Sequence, residues 1–220
     1  AMAVATLATT SVFAQTIIPG GGWWSGTQIQ NVHNAGVNIT MTLYNKDNAT
    51  TCEASNLPID PGQATTLTPG SFQNCAGFQG SAVISSDGPV KAIVNITNRQ
   101  SNDLGVAGGL AAGQYQGLDS SQVSDKLYFP LVKGDSFGKT TTFYIQNAGN
   151  SAVTPTATFT MRNGDVHTIA MTSIEPNKMR VIAVQDAPTF NPADNSGRVG
   201  GLVVDAGDSS ARMALSLIHI

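Results

Sequence analysis

The stretch Val37-Asn38-Ile39-Thr40-Met41-Thr42-Leu43-Tyr44 decides the fold class of this 220-residue chain. Apolar side chains occupy alternate positions in it, and polar or hydroxyl-bearing side chains fill the positions between them. A period of two is typical of a β-strand that buries one face and leaves the other in water. No window of the sequence carries apolar residues at helical spacing over three turns, so the chain is predicted to be all-β.

The same pattern returns about 116 residues later, at Val153–Phe159. Three further matches follow in the same order: Ile29–Asn31 with Ile145–Asn147, Ile59–Gly62 with Ile174–Asn177, and Gly80–Ile84 with Gly200–Val204. Matches in one order at nearly constant spacing indicate an internal duplication. In the second copy Pro155 cannot donate a ladder hydrogen bond, which predicts that its strand lies at a sheet edge or a bulge.

Turn signals divide the first copy into seven short strands. The predicted strands are Thr27–Val32, Val37–Tyr44, Thr50–Leu57, Ala64–Leu67, Gly80–Ser85, Val90–Asn95 and one within Gly105–Tyr115. Strands of this length and spacing predict a sandwich with Greek-key connections. The chain is therefore predicted to contain two tandem immunoglobulin-like β-sandwich modules, residues 15–116 and 127–214, joined by a linker at 117–126. The second module lacks a clear counterpart of Val90–Asn95 and is predicted to be truncated.

The alternation also predicts which side chains point into each core. They are Val37, Ile39, Met41, Leu43, Val83 and Ile93 in the first copy, and Val153, Pro155, Ala157 and Phe159 in the second. A substantial helical layer, or one sheet running through both copies, would contradict this architecture.

Both ends of the sequence differ from the rest. Ala1–Ala14 is uncharged, rich in small and apolar residues, and ends in Val12-Phe13-Ala14, the small-x-small pattern of a signal-peptidase site. It is predicted to be the end of a signal peptide, with an apolar first strand as the alternative. Residues 215–220 resemble one reading frame of a sequencing adapter and are set aside from functional argument, although an ordinary apolar strand is the alternative.

Export agrees with the cysteine count. The chain has two cysteines, Cys52 and Cys75, and a single pair in an exported protein is typically bridged. They are predicted to form a disulfide, with two free thiols as the alternative.

Charge and hydropathy exclude two classes of partner. The net charge is −3 and no basic cluster is present, so the sequence predicts no binding to nucleic acid. No segment after the first 14 residues has the run of about 18 apolar residues that a membrane span needs.

Gly134-Asp135-Ser136-Phe137-Gly138 matches the GxSxG motif of hydrolases. That motif works between a strand and a helix, but a second strand is predicted at Thr140–Gln146. Ser136 is therefore predicted to lie exposed in a turn, more than 4 Å from His167, the one plausible base. The histidines and carboxylates show no catalytic or metal-ligand spacing, so no catalytic residue, metal site or cofactor is predicted. Acidic turns such as Asp205–Asp208 could supply calcium ligands, but turn chemistry explains them equally well.

Trp23 and Trp24 are the only tryptophans and follow three glycines. Exposed aromatic faces stack on sugar rings, so these two residues are a candidate ligand-binding site. The alternative is that one of them covers the open end of the sandwich and the other lies on its surface.

The ordered motifs also resemble those of a known family. I-Q-N, V-x-x-T-x-T, I-x-P-G and the run from Gly77 to Asn95 (GFQGSAVISSDGPVKAIVN) resemble tandem immunoglobulin-like repeat modules of exported bacterial cell-surface proteins. The resemblance covers Ile18 to about Asn98, and Leu127–Ala214 more loosely. It implies a structural or adhesive role without catalytic residues, partners among cell-surface glycans or envelope proteins, and further modules of the same chain. A carbohydrate-binding accessory module of a larger extracellular protein is the alternative function.

Overall fold

The computed structural model describes residues 23–73, 75, 78–98 and 111–219. The predicted signal peptide and the first residues of the predicted first module lie outside this described part, as does the side chain of Trp23. The described residues form antiparallel strands and short 3-10 turns, without an α-helix. The strands are β1 (Trp23–Asn31), β2 (Val37–Asn45), β3 (Thr51–Ile59), β4 (Ala64–Leu67), β5 (Gly80–Ser86), β6 (Val90–Asn98), β7 (Ala111–Gln116), β8 (Lys126–Ser136), β9 (Lys139–Asn147), β10 (Thr156–Met161), β11 (Val166–Ala170), β12 (Met179–Ile182), β13 (Val199–Asp205) and β14 (Met213–His219).

Strands β1–β7 form an N-terminal strand group made of two sheets. One sheet has the order β4-β1-β6-β7 and the other the order β3-β2-β5. Both sheets supply side chains to one core, which is consistent with a β-sandwich. Its buried members include Ile29, Val37, Ile39, Ile59, Leu67 and Ala92. All seven strands predicted for the first copy are confirmed.

Strands β8–β14 form a C-terminal strand group with a core of its own. Its ladder runs β11-β10-β13-β8, passes through the β8–β9 hairpin to β9, and ends with β12 and β14 on either side of β9. Its largest fully buried side chains include Phe143, Phe159, Ile145, Ile174, Leu202 and Met213. Within the described residues no strand of one group pairs with a strand of the other, so the two hydrophobic cores are separate.

Strand pairing in the two groups follows the internal duplication. β1 pairs with β4 and β6, and β9, which repeats its Ile-Gln-Asn tripeptide, pairs with β12 and β14. β2 lies between β3 and β5, just as β10 lies between β11 and β13. The C-terminal group adds β8 beside β13. The repeated sequence therefore forms the same ladders twice.

The inward side chains of β2 and its counterpart are confirmed. Val37, Ile39 and Met41 are buried and Leu43 packs against the same core. In the second copy Val153, Ala157 and Phe159 are buried in the other core, and Pro155 is buried beside them.

The prediction that Val83 and Ile93 point into the core is wrong. Ile93 is 40% exposed, and Val83 lies outside the core that its neighbour Ile84 contacts. Both lie in runs of consecutive apolar residues, where a period of two does not say which residue points inward. The strand register decides which residue points inward. Ile84 stands opposite the core residue Met41, and Ala92 stands opposite the core residue Ile29.

Pro155 also departs from its prediction, because its strand is neither at an edge nor bulged. β10 begins at Thr156 and lies between two neighbours. Pro155 immediately precedes it, and its carbonyl accepts a hydrogen bond from Met171 N at 3.0 Å. The missing N–H therefore falls outside the ladder and removes no hydrogen bond from it.

β14 lies where the sequence offers an apolar strand only as the alternative, and it begins at Met213. It runs along β9 with Leu215 opposite Ile145, as β6 runs along β1 with Ala92 opposite Ile29. Residues 215–219 lie within this strand, and their adapter origin stays a prediction. The counterpart of Val90–Asn95 is thus Met213–His219, which alternation alone does not reveal.

Candidate functional site

A buried asparagine organises one end of each strand group. Asn31 is fully buried; its Nδ2 donates to the carbonyls of Ala35 at 2.8 Å and Ile59 at 2.9 Å, and its Oδ1 accepts from His33 N at 2.7 Å. An amide offers two donors and an acceptor with two lone pairs. In Asn31, backbone groups from the following turn and from β3 satisfy both donors and one lone pair of the acceptor.

Asn147 makes the same contacts in the C-terminal group. Its Nδ2 donates to the carbonyls of Ser151 and Ile174, both at 2.8 Å, and its Oδ1 accepts from Gly149 N at 2.9 Å. Sequence reasoning aligned the two Ile-Gln-Asn tripeptides but assigned no role to the asparagine. An asparagine repeated directly after a core isoleucine is the signal that would have found it.

The neighbouring turns are duplicated as well. Gly62 N donates to Asn31 O and Asn177 N donates to Asn147 O. Gly62 and Asn177 both have positive φ angles, 73° and 64°. The proline-containing turns Asp60–Gln63 and Glu175–Lys178 therefore share one conformation, and each presents its tip to the outside of its group.

Cys52 and Cys75 form a disulfide in the N-terminal group. Their Cα atoms are 6.1 Å apart, within the usual range for a bridge. Cys52 lies on β3, and Cys75 lies in the connection between β4 and β5. The bridge therefore ties this connection to an edge strand.

His167 holds the corresponding connection in the C-terminal group without a disulfide. It lies on β11 opposite Phe159, as Cys52 lies opposite Leu43. Its Nδ1 lies 2.9 Å from Thr189 Oγ1, and its ring packs edge to face on Phe190 with centroids 5.3 Å apart. Its Nε2 is buried without a hydrogen-bond partner in the described part of the chain.

The GxSxG stretch forms a hairpin. The ladder of β8 and β9 closes at Ser136 and Lys139, leaving Phe137 and Gly138 as the two turn residues with φ angles of 52° and 69°. Positive φ at both positions is the type I′ geometry that matches the twist of the two strands. A strand follows the serine, as predicted, where a hydrolase elbow has a helix.

The predicted exposure of Ser136 is wrong. Its side chain is 1% exposed, and its Oγ donates to Asn195 Oδ1 at 3.0 Å. Arg198 ties the same hairpin to this loop by an ion pair with Asp135 at 2.9 Å. Because β8 continues to residue 136, the serine alternates inward, and Phe137 takes the exposed tip, 86% exposed.

Trp24 lies on the outer face of the sheet β4-β1-β6-β7. It is 39% exposed, and its ring covers Gly26, where a Cβ atom would come within 2.9 Å of Trp24 Cη2. The structure therefore places one of the two candidate tryptophans on a solvated sheet face rather than in a loop.

The two strand groups touch through an inter-group contact. The N-terminal group contributes Lys46, Asn48, Ser81 and Ala82, and the C-terminal group contributes Gln146, Asn177, Lys178 and Arg180. Arg180 Nη1 donates to Lys46 O at 3.2 Å, Lys178 Nζ donates to Asn48 O, and Ser81 Oγ donates to Asn177 O. Side chains therefore satisfy backbone carbonyls across the junction.

Apolar side chains are buried around the same contact. Met179 and Val181 are 8% and 5% exposed, yet they belong to neither core and alternate along β12 with the core residue Ile182. Tyr144 faces them on β9, and burial, with a smaller effect of the nearby Tyr115, raises the pKa of its phenol. Because Tyr115 belongs to β7, a residue of the N-terminal group lies near the outer face of β9.

Hydrogen bonds lower the pKa of carboxyl groups in the described part of the C-terminal group. The pKa of Asp205 is lowered, chiefly by its hydrogen bond from Lys126, 2.8 Å away. The pKa of Asp194 is lowered by hydrogen bonds from Ser196 and from the backbone of Gly197. Asp194 is exposed and Asp205 is half-buried. Among the described residues no three His, Cys, Asp or Glu side chains gather as metal ligands, and no helix is long and apolar enough to span a membrane.

Comparison with known proteins adds no relative. No protein-family model matches the chain, and a search of the curated proteins finds no match.

Proposed function

We propose that the chain is a non-catalytic structural or adhesive repeat region of a secreted or cell-surface bacterial protein, built from two tandem immunoglobulin-like sandwich modules. The inter-group contact is the observation that carries this proposal. Two units with separate cores touch directly, through charged side chains on backbone carbonyls and through Tyr144, Met179 and Val181. A direct contact gives the two units a preferred arrangement, which suits a spacer or scaffold.

Three observations support the fold assignment and the location. The Asn31 and Asn147 contacts recur at equivalent positions, as repeats of one module would require. Antiparallel sheets with one solvated face agree with the polar but sparsely charged composition, 11% charged residues. A disulfide suits an oxidising compartment, which agrees with export.

The contacts of Ser136 support a role without hydrolysis at this serine. A serine nucleophile needs a base within hydrogen-bond reach and oxyanion donors facing the same point. Here the hydroxyl donates to an amide oxygen, which removes no proton, and the turn after it leads into β9.

The location is tested on intact cells that produce the protein. Proteinase added without lysis is expected to remove the antibody signal for residues 23–219, and alkylation with mass spectrometry is expected to find Cys52 and Cys75 bridged. A protected chain with two free thiols would contradict export.

The non-catalytic role is tested with a fluorophosphonate probe on the full chain. No covalent adduct is expected. An adduct at Ser136 that disappears in Ser136→Ala would overturn the proposal.

A further inference from the structure

The outer face of the sheet β4-β1-β6-β7 combines one aromatic ring with a field of amides. The register places Gln28 opposite Ile93, with Gln116 next to Ile93 on β7. One step along the sheet, Gly26 stands opposite Asn95, and Gln114 follows on β7. Strands lie about 4.8 Å apart, so these side chains form two short parallel rows on one surface.

Trp24 lies at the end of these rows, and the edge of its ring lies against Gly26. The absence of a side chain at position 26 is what lets the ring lie close to the sheet, beside the row that holds Asn95 and Gln114. The residue as a whole is 39% exposed. A ring held close to a flat surface is a stacking platform with little conformational freedom left to lose.

A shallow groove continues from the amide rows. Its volume is about 410 Å³, and its lining includes Lys91, Ile93, Gln114 and Gln116. Ile93 on β6 and the amides of Gln114 and Gln116 on β7 can contact a sugar ring and its hydroxyls together. The platform and the groove lie on the same sheet.

The charge of this face selects among ligand classes. Each amide both donates and accepts hydrogen bonds, which matches hydroxyl groups. The one charged side chain among these residues is Lys91, which faces the Asp119 carboxylate at 3.8 Å. A nearly neutral face lacks the positive charge that a nucleic acid or an acidic polymer requires, and its apolar area is too interrupted for a lipid surface.

We propose that this face, from Trp24 across Asn95 and Gln114 to the groove at Ile93 and Gln116, binds a neutral polysaccharide. The sugar ring stacks on Trp24, and the amides bind its hydroxyls. This inference stands apart from the proposed structural role, because a scaffold needs no glycan and a glycan-binding face needs no scaffold.

The test is a pull-down of the full chain with insoluble cellulose, chitin, xylan and mannan, with alginate as the acidic comparison. The unmodified chain is expected to bind at least one neutral polymer and not alginate. Trp24→Ala is expected to weaken that binding about tenfold, the loss of one stacking contact. Gly26→Val keeps the tryptophan but displaces its ring, and a loss of about fivefold is expected from it.

Phe137→Ala is the matched control, because Phe137 is a more exposed aromatic residue on the other strand group. It is expected to bind like the unmodified chain. Unchanged thermal unfolding of each variant separates lost binding from lost folding. Gln114→Ala changes an exposed residue on an edge strand, and it is a second binding variant that leaves Trp24 in place. Binding to none of the neutral polymers, binding to alginate alone, or equal binding by Trp24→Ala would each overturn the proposal.

Discussion

His167 and Cys52 occupy the same cross-strand position in the two strand groups. Each lies on the edge strand beside the central one, and each is tied to the connection that follows the next strand, 22 and 23 residues further along the chain. In one group the tie is covalent. In the other it is a hydrogen bond to Thr189 supported by the ring of Phe190.

Removing the disulfide should destabilise the N-terminal group alone. For Cys52→Ala with Cys75→Ala we expect a loss of about 3 kcal/mol in the free energy of unfolding, the chain-entropy value for a loop of this length. Both tryptophans lie in this group, so their fluorescence reports its denaturant unfolding. His167→Ala is the matched variant and should leave that fluorescence transition in place. An unchanged denaturant midpoint for the double alanine variant would mean that the disulfide does not stabilise the N-terminal group.

The buried asparagines should be as costly to remove as core residues. Asn31→Leu leaves the Ile59 carbonyl and the His33 N–H without partners, and we expect a loss of about 3 kcal/mol, because unsatisfied buried groups cost about 1–3 kcal/mol each. The exposed neighbour Gln30→Ala should change stability by less than about 0.5 kcal/mol. Tryptophan fluorescence in urea measures both, and equal effects would refute the role of Asn31.

A charge on the outer face of β12 should open the inter-group contact. Val181→Asp places a carboxylate at a position that is 5% exposed and outside either core. A buried charge is costly, and separation of the inter-group contact would return this carboxylate to water. Solution scattering should show a larger radius of gyration. Thr66→Asp is the control, since Thr66 is the exposed counterpart of Val181 on β4. An unchanged radius of gyration in Val181→Asp would show that Val181 is not buried by the inter-group contact.

The phenol of Tyr144 should make the chain sensitive to alkali. Its pKa is raised in the folded protein, mainly by burial, whereas an unfolded tyrosine titrates near pH 10. Stability from this group is therefore complete below about pH 10 and declines as the pH rises further, because the unfolded chain releases its proton first. Tyr144→Phe should lessen this decline between about pH 10 and pH 11 in urea titrations. The variant should be no less stable at pH 7, because the hydroxyl has no hydrogen-bond partner among the described residues. A loss at neutral pH would reveal a partner for the hydroxyl.

The hairpin tip should accept a better turn residue. Phe137 has a φ angle of 52°, which disfavours an aromatic residue, and asparagine followed by glycine suits this turn type best. Phe137→Asn should raise the unfolding free energy by about 1 kcal/mol. Gly138→Ala, at a φ of 69°, should lower it by a similar amount. If Phe137→Asn is destabilising, the exposed ring contributes contacts in the folded state.

Alternation predicts inward side chains where polar residues separate the apolar ones, as in β2. It fails in Val83-Ile84 and Ala92-Ile93, because only pairing with Met41 and Ile29 decides which face is buried. The burial of Ser136 depends on how far β8 extends, which a glycine-rich motif does not reveal. The disulfide could be predicted from export chemistry. The roles of Lys178 and Arg180 could not, since they depend on a neighbour about 130 residues away.

The surface around the inter-group contact makes the order of the two repeats directional. Tyr144, Met179 and Val181 on the second copy correspond to Gln28, Ala64 and Thr66 on the first, all of them exposed. Exchanging the copies would bring the polar face to the junction and turn the apolar face to water. The two strand groups are therefore not interchangeable at this contact, and a further unit placed behind the second would need its own apolar face to join it.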